Sequence, residues 1–173
     1  PAGAARSRAR LRALLDLPPD GAGEPLILYA PTWRDGEPDP AEPSAAEAAQ
    51  IRAVLERLGA RLVIRSHPLG AGAYAAVLGE RVHLLGSDRL RDITSELPAF
   101  DAIITDYSSI AVDFALTGAP IVWFAPDLAR YTASRGLYEP LEVTAAGKVQ
   151  RNWPEALARL EDVLAPDAPR RAA

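Results

Sequence analysis

The chain has 173 residues, the length of one domain, and 49% of them are hydrophobic, which is the share that a packed globular core requires. Lys and Arg total 19 and Asp and Glu total 23, so the formal charge of −4 gives no support for a nucleic-acid partner, and none is expected. Cysteine is absent from the sequence, which excludes disulfides and thiolate chemistry. Methionine is absent too, even at position 1, as expected of a chain cut from a longer protein.

The start of the chain and its most apolar stretch predict neither a secretory signal nor a membrane span. Residues 1–12 carry four arginines and no apolar core. Residues 102–124 are interrupted by Asp106 and Asp113, which argues against a transmembrane helix. We expect an N-terminal helix and linker over residues 1–24, one domain over residues 25–165 and a flexible tail over residues 166–173.

The N-terminal part of the chain predicts two helices and two strands. Ser44, with Glu47 three residues later, has the spacing of a capping box, and Gly59 ends the helix that it begins. Short continuous apolar runs are typical of strands buried on both faces. The predicted elements are a basic helix over 6–17, a strand over 26–30, the capped helix to about residue 58 and a strand over 61–65.

The C-terminal part alternates strands and helices in the same way. Pro154 and Glu155 have the positions that these residue types prefer at the start of a helix. The predicted elements are a weak helix over 71–78, a strand over 81–85, a short helix over 92–97, a strand over 102–105, a helix over 109–116, a strand over 120–124, a helical turn over 130–134 and a helix over 154–164. This alternation predicts an α/β fold, a Rossmann-like parallel sheet with helices on both faces.

Ligands of such sheets bind outside the carboxyl ends of the strands, and one predicted strand ends in Thr105–Ser109. Ser108 and Ser109, at the start of a helix, can offer hydroxyls, backbone N–H groups and the helix dipole to a phosphate. The alternative is that these residues only cap the helix, since Asp and Ser are preferred caps. Their position at a strand end favours phosphate binding.

Each histidine has a different expected role. His67 lies just past a strand, where it can neutralise a phosphate or protonate a leaving oxygen, and the alternative is a histidine satisfied by a backbone carbonyl. His83 alternates with Val82 and Leu84 inside a strand pattern and is interpreted as structural. Two histidines so placed form no metal-ligand spacing, and no metal is predicted.

Arg34 follows the first strand and can hold a carboxylate or phosphate with two parallel hydrogen bonds. Its alternative is a solvated loop arginine stacked on Trp33. The absence of G-x-G-x-x-G, Walker A and G-x-S-x-G motifs argues against a dinucleotide dehydrogenase, a P-loop NTPase and a serine hydrolase. Four residues after the last strand line either a pocket rim or an ordinary loop, and the residues alone favour the loop: Asp127, Tyr131, Arg135 and Tyr138.

Four segments in this order resemble the CDP-glycerol glycerophosphotransferases, the teichoic-acid polymerase group, over about residues 25–145. The segment LYAPTWRD at 28–35 resembles their YAPTWR segment, and RSHP at 65–68 is similar to their histidine-proline strand end. The run DAIITDYSSI at 101–110, continuing to Asp113, resembles their ITDYSS signature. The fourth segment is Pro120–Phe124 followed by Asp127, Tyr131, Arg135-Gly136 and Tyr138, and Ala145-Ala146-Gly147-Lys148 stands where the family usually has Pro-Gly-Pro.

The resemblance implies one lobe, the C-terminal donor-binding half, of a two-domain GT-B enzyme. Such enzymes move glycerol phosphate, or a related polyol phosphate, from a CDP-activated donor to a polymer, and CMP leaves. The donor substrate would be CDP-glycerol, with no tightly bound cofactor. Ser108 and Ser109 would hold the pyrophosphate, and His67 would be the catalytic residue that stabilises the leaving charge. Further donor contacts or pocket structure would come from Arg34, Arg65, Asp106, Asp113, Asp127 and Arg135.

The resemblance also implies partners and a location. The acceptor polymer would be held by an N-terminal domain that carries the acceptor-side base, so we expect this chain alone to bind donor and turn over poorly. We expect a cytoplasmic protein, with peripheral association at the inner face of the plasma membrane; the arginines of residues 6–12 either contact anionic lipid or form a solvated helix face. Two alternatives stay open: another GT-B sugar-nucleotide glycosyltransferase and a non-catalytic nucleotide-binding module.

Overall fold

The computed structural model describes residues 2–18, 23–34, 39–65 and 74–166. Six strands form one sheet in the order β3-β2-β1-β4-β5-β6, and every neighbouring pair is parallel. Their bounds are β1 Leu26–Ala30, β2 Arg61–Ile64, β3 Val82–Leu84, β4 Ala102–Thr105, β5 Ile121–Phe124 and β6 Val149–Gln150. The order is that of a dinucleotide-type doubly wound sheet, and the predicted Rossmann-like α/β fold is confirmed.

Helices cover both faces of the sheet, as predicted. Their bounds are α1 Ala2–Leu14, α2 Ala45–Leu58, a 3₁₀ helix Thr94–Ala99, α3 Ile110–Ala115, α4 Leu128–Arg135, α5 Leu141–Thr144 and α6 Trp153–Leu164. In β1, Ile27 and Tyr29 pack into a core with α2 and α6, whereas Leu26 and Leu28 pack into a second core with α1, the 3₁₀ helix and α3. The strands are therefore buried on both sides, which explains their continuous apolar runs.

The local signals at the start of α2 are confirmed. The Ser44 hydroxyl accepts a hydrogen bond from the backbone N–H of Glu47, and the Glu47 carboxylate accepts one from the backbone N–H of Ser44. Gly59 ends the helix with φ of +59°, a left-handed conformation that glycine adopts without the steric cost of a Cβ atom. The sequence therefore defines both ends of this helix.

Several predicted boundaries are wrong. The short helix expected before Pro98 is a 3₁₀ helix that contains it. Proline lacks the N–H group that a 3₁₀ helix would direct to the carbonyl three residues earlier, and that carbonyl, of Ser95, accepts a hydrogen bond from the Ser7 hydroxyl of α1 at 3.2 Å. The turn predicted over 130–134 is the longer α4. Of the weak helix predicted over 71–78, residues 71–73 lie outside the described residues, Tyr74 has a 3₁₀ conformation and residues 75–77 form turns.

The chain reverses its direction of travel across the sheet between β1 and β4. From β1 it moves outward to β2 and β3, and it then returns to place β4 on the other side of β1. Ligands of doubly wound sheets bind at such a reversal, outside the carboxyl ends of the two strands. Here those ends lead into Pro31–Arg34 and Asp106–Ser109, which are the segments that the sequence analysis singles out.

Candidate functional site

The carboxyl ends of β1 and β4 are joined by side chains that follow them. The Asp106 carboxylate accepts two hydrogen bonds at Oδ1, from the backbone N–H of Thr32 at 2.9 Å and from its hydroxyl at 2.6 Å. The Thr105 hydroxyl donates to the carbonyl of Ala30 at 2.7 Å. These bonds hold the two strand ends together at the reversal of the sheet.

Arg34 lies at the centre of this region and is 8% exposed. Its Nη2 donates to Asp106 Oδ2 at 2.7 Å, and its Nε and Nη2 donate to the two carboxylate oxygens of Asp127 at 3.0 and 3.1 Å. Its Nη1 donates to the carbonyl of Thr32. We call Arg34, Asp106 and Asp127 the Arg34 cluster. The alternative of a solvated loop arginine is wrong, because the guanidinium is buried among these acceptors.

The pKa values of Arg34 and Asp127 are both shifted toward the charged forms. Burial by itself lowers the pKa of Arg34, but the hydrogen bonds and charges of Asp127 and Asp106 outweigh it and raise that pKa above its ordinary value. Burial by itself raises the pKa of Asp127, but the hydrogen bond and charge of Arg34 bring it below its ordinary value. The pair is therefore ionised at neutral pH.

Two tyrosines pack beside the Arg34 cluster. The rings of Tyr107 and Tyr131 stack with centroids 3.9 Å apart and planes within 10° of parallel. Arg34 Cζ lies 5.2 Å and 4.9 Å from the two centroids, within the range of a cation–π interaction with both rings. The Tyr107 hydroxyl donates to Asp127 at 3.2 Å, and burial, followed by the charge of Asp127, raises the Tyr107 pKa and keeps that hydroxyl protonated.

The predicted phosphate-binding residues, Ser108 and Ser109, come shortly after Asp106 of the Arg34 cluster along the chain. Ser108 is half-buried and Ser109 is exposed. Ser109 takes the N-cap position of α3 with helical angles, φ −59° and ψ −20°, and its side chain makes no capping hydrogen bond. Asp113 lies on the exposed side of α3. The capping alternative is therefore wrong for the Ser109 hydroxyl, and phosphate binding by these residues stays a prediction.

The remaining predicted site residues are dispersed. Arg65, after β2, donates to the carbonyls of Leu85 and Arg91 at 3.2 and 3.1 Å, and burial lowers its pKa. Arg135 is the exposed last residue of α4. His67, the predicted catalytic residue, lies outside the described residues, as does the tail over 167–173.

His83 is half-buried in β3, as its structural interpretation expects. Its Nε2 lies 3.5 Å from Arg61 Nη1, and burial, followed by the charge of Arg61, lowers its pKa. Among the described ranges, no three His, Asp or Glu side chains come together in a way that suits a metal ion.

A separate groove of about 440 Å³ lies on the other side of α4. Arg151 and Glu142 form an ion pair at 3.2 Å in its lining. The other lining residues are mostly apolar: Leu128, Ala129, Thr132, Ala133, Leu137 and Pro140. None of the predicted site residues lines this groove.

Comparison with known proteins supports the resemblance that the motifs suggest. Residues 3–172 match the family model described as CDP-Glycerol:Poly(glycerophosphate) glycerophosphotransferase. The chain belongs to this family. The family match extends beyond the predicted 25–145 to include α1 and α6, both of which pack on the sheet.

Curated members of the glycerophosphotransferase family are similar to most of this chain. It is 25% identical over 142 residues to the teichoic acid ribitol-phosphate primase of Bacillus spizizenii, covering 78% of the chain and 34% of that primase. It is 29% identical over 164 residues to the teichoic acid poly(glycerol phosphate) polymerase of Bacillus subtilis, covering 91% of the chain and 21% of that polymerase. The chain thus spans about a third of the length of one of these relatives and about a fifth of the other.

A solved structure has the same fold. The wall teichoic acid polymerase TagF superposes with a TM-score of 0.64 at 24% identity, covering 91% of this chain and 38% of that one. The predicted fold, a Rossmann-like lobe of the GT-B type, is confirmed.

Three residues that pack in or beside the Arg34 cluster were not among the predicted site residues: Thr32, Tyr107 and Tyr131. Thr32 and Tyr107 lie inside the YAPTWR-like and ITDYSS-like segments. Tyr131 belongs to the fourth segment, and its residues alone left a pocket rim and an ordinary loop open, with the loop favoured. Their contacts connect parts of the chain that are far apart, with separations of 74 residues for Thr32 and Asp106 and 20 residues for Tyr107 and Asp127. The only signal in the sequence was their membership of the segments that resemble the family.

Proposed function

We propose that this chain is the donor-binding lobe of a transferase that moves glycerol phosphate, or another polyol phosphate, from a CDP-activated donor to a teichoic-acid or capsule polymer. The observation that carries the proposal is the family match over residues 3–172. The strand order supports it, because the ends of β1 and β4, which bear two of the motifs, lie side by side where the chain reverses across the sheet. Relatives named for glycerol phosphate and for ribitol phosphate are similarly distant, so the proposal covers both polyols.

The proposed reaction is a phosphoryl-type transfer. A hydroxyl of the acceptor attacks the phosphorus that carries the polyol, the bond from that phosphorus to the bridging oxygen breaks, and CMP leaves with the electron pair. The proton of the attacking hydroxyl passes to a base, which we place in a separate N-terminal lobe. Such reactions depend on positioning and on stabilising developing charge, so preorganised donors carry most of the catalysis.

Within this reaction, Ser108 and Ser109 contact the donor pyrophosphate, and His67 stabilises the charge that develops on the leaving CMP. The contact of the serines with the pyrophosphate is supported by the Ser109 hydroxyl, which is exposed and makes no capping hydrogen bond. The role of His67 comes from the RSHP segment. The exposed Asp113 and Arg135 contact the rest of the donor, while Arg65, bound to two loop carbonyls, shapes the neighbouring wall.

The acceptor and the location follow from the same proposal. Nucleotide-activated donors are made in the cytoplasm, so we place the protein there, at the inner face of the plasma membrane where the acceptor polymer grows. Arg8, Arg10 and Arg12 of α1 form ion pairs with Asp101, Glu96 and Glu24, which reduces the charge that they can offer to anionic lipid. None of the helices within the described ranges is both long and apolar enough to cross a membrane.

Calorimetric titration of the chain with CDP-glycerol, CDP-ribitol, CTP and UDP-sugars tests the proposal. We expect a CDP-polyol to bind most tightly, and we expect Ser109→Ala to weaken it about tenfold, because a hydrogen bond to a charged phosphate is lost. Ser7→Ala, which removes a serine hydroxyl on α1, is the matched control and leaves the affinity unchanged. Tighter binding of a UDP-sugar would favour sugar transfer instead, and no binding of any nucleotide would favour a non-catalytic interaction module.

A further inference from the structure

We propose that Arg34 is a positioning residue: through Asp106 and Asp127 it fixes the turn that carries Ser108 and Ser109 against the start of α4. This inference rests on the proposed function, because the turn that it positions is the proposed donor site. It assigns to Arg34 a role different from the phosphate contact that its motif suggests.

The guanidinium of Arg34 has almost no capacity left for a ligand. An arginine carries five N–H donors. Four hydrogen bonds already leave Arg34, to Asp127 Oδ2, Asp127 Oδ1, Asp106 Oδ2 and the Thr32 carbonyl. The edge formed by Nε and Nη2, which recognises a phosphate through two parallel bonds, is the edge that holds Asp127. A donor phosphate would have to displace that carboxylate.

The charge of the Arg34 cluster also disfavours an anion. In this buried cluster the formal charges of one guanidinium and two carboxylates sum to −1, and both carboxylates lie within 3.1 Å of the guanidinium. A second arginine, the exposed Arg130, approaches Asp127 at 3.8 Å. A pyrophosphate brought to Arg34 would meet both carboxylates in a poorly screened, buried environment, where like charges repel strongly. The cluster therefore suits an internal brace and not an anion site.

The contacts of Arg34 reach the proposed donor site by two routes. Asp106 begins the turn that continues through Tyr107 to Ser108 and Ser109. Asp127 stands at the N-cap position of α4, and Tyr131 of α4 stacks on Tyr107 at 3.9 Å. Without Arg34, Asp106 loses its ion pair with that arginine and Asp127 keeps only the longer contact with the exposed Arg130 at 3.8 Å, so the turn is held less firmly. A displacement of the turn moves the serine hydroxyls from the geometry that a bound phosphate needs.

The test compares Arg34→Gln and Asp127→Asn by calorimetric titration with CDP-glycerol over a series of salt concentrations. We expect both variants to weaken binding by about tenfold, within the usual range of energetic coupling between sites. We expect the salt dependence of the affinity to stay that of the unmodified chain, because no charged contact with the donor is lost. Arg12→Gln, which alters a similarly buried arginine at the opposite edge of the sheet, is the control, and it should lower the thermal midpoint without changing donor affinity.

The two roles of Arg34 predict opposite results for Asp127→Asn. If Arg34 contacts the donor, removal of the competing carboxylate frees the guanidinium and tightens binding. Tighter binding in Asp127→Asn, or a flatter salt dependence in Arg34→Gln, overturns the positioning role and leaves the proposed function standing. If Arg34→Gln does not fold, Asp127→Asn decides alone. Failure of the unmodified chain to bind CDP-glycerol overturns the proposed function, and the positioning role with it.

Discussion

Two charged clusters stand at opposite edges of the same sheet. At the amino ends of the strands, Glu24 lies between Arg12 and Arg61 at 3.3 and 2.7 Å, with Arg81 at 3.8 Å. We call these four residues the Glu24 cluster. At the carboxyl ends, the buried Arg34 cluster has one arginine between two carboxylates, and the exposed Arg130 approaches Asp127 at 3.8 Å. One cluster places an acid among bases and the other a base among acids.

The difference in burial separates their tasks. The Glu24 side chain is 26% exposed, so its carboxylate is partly hydrated. Its ion pairs connect the starts of strands with α1. In the Arg34 cluster no side chain is more than 8% exposed, and its bonds connect the ends of strands where ligands bind. The comparison indicates that an ion cluster built around the partly solvated Glu24 can serve the fold alone. The fully buried cluster at the sheet reversal lies beside the proposed donor site.

The largest expected effect comes from Arg34→Ala. It removes the buried counter-ion that Asp106 and Asp127 share and leaves Asp127 only the longer contact with the exposed Arg130 at 3.8 Å. Removing one partner of a buried ion pair costs about 3–5 kcal/mol of unfolding free energy. Urea denaturation followed by circular dichroism measures the loss. A loss below about 1 kcal/mol, the range of exposed pairs, would remove the contrast between the two clusters.

A smaller effect is expected from Glu24→Gln. The glutamate is partly solvated, and the Arg12 guanidinium keeps its hydrogen bonds to the Pro18 carbonyl, so we expect a loss of about 1–2 kcal/mol. Donor affinity should not change, because no proposed donor residue touches Glu24. The same denaturation and titration experiments measure both quantities, and weaker donor binding in this variant would mean that the two edges of the sheet are coupled.

The smallest expected effect is on the pH dependence of stability. The pKa of Asp127 is lower in the folded chain than in the unfolded one, because Arg34 outweighs the opposing effect of burial. Its stabilising contribution is therefore present above the unfolded pKa of about 4 and is lost as the pH falls through the lower, folded value. Asp127→Asn should make the free energy of unfolding less dependent on pH below about pH 4. If the free energy of unfolding of this variant depended on pH below about pH 4 as it does in the unmodified chain, the lowered pKa of Asp127 would be contradicted.

Local features of the sequence predicted much of the fold. The bounds of β1 and β4 and the capping box of α2 follow from neighbouring residues alone. β6 and α5 were missed because two and four residues are too few to show a period. The helix end predicted before Pro98 was wrong: the 3₁₀ helix runs through it, and the Ser95 carbonyl accepts a hydrogen bond from Ser7 of α1, 88 residues away, which local sequence could not reveal. The motif segments located Arg34, Asp106 and Asp127, but their mutual contacts depend on how the sheet assembles.

The separation of these partners along the chain has a consequence for folding. Arg34 is 72 residues from Asp106 and 93 from Asp127, and closing such long loops costs entropy before any contact repays it. During synthesis, the arginine emerges long before either aspartate exists. The Arg34 cluster therefore forms only after β1, β4 and β5 have come together, and the edge of the sheet that bears the proposed site is completed late in folding.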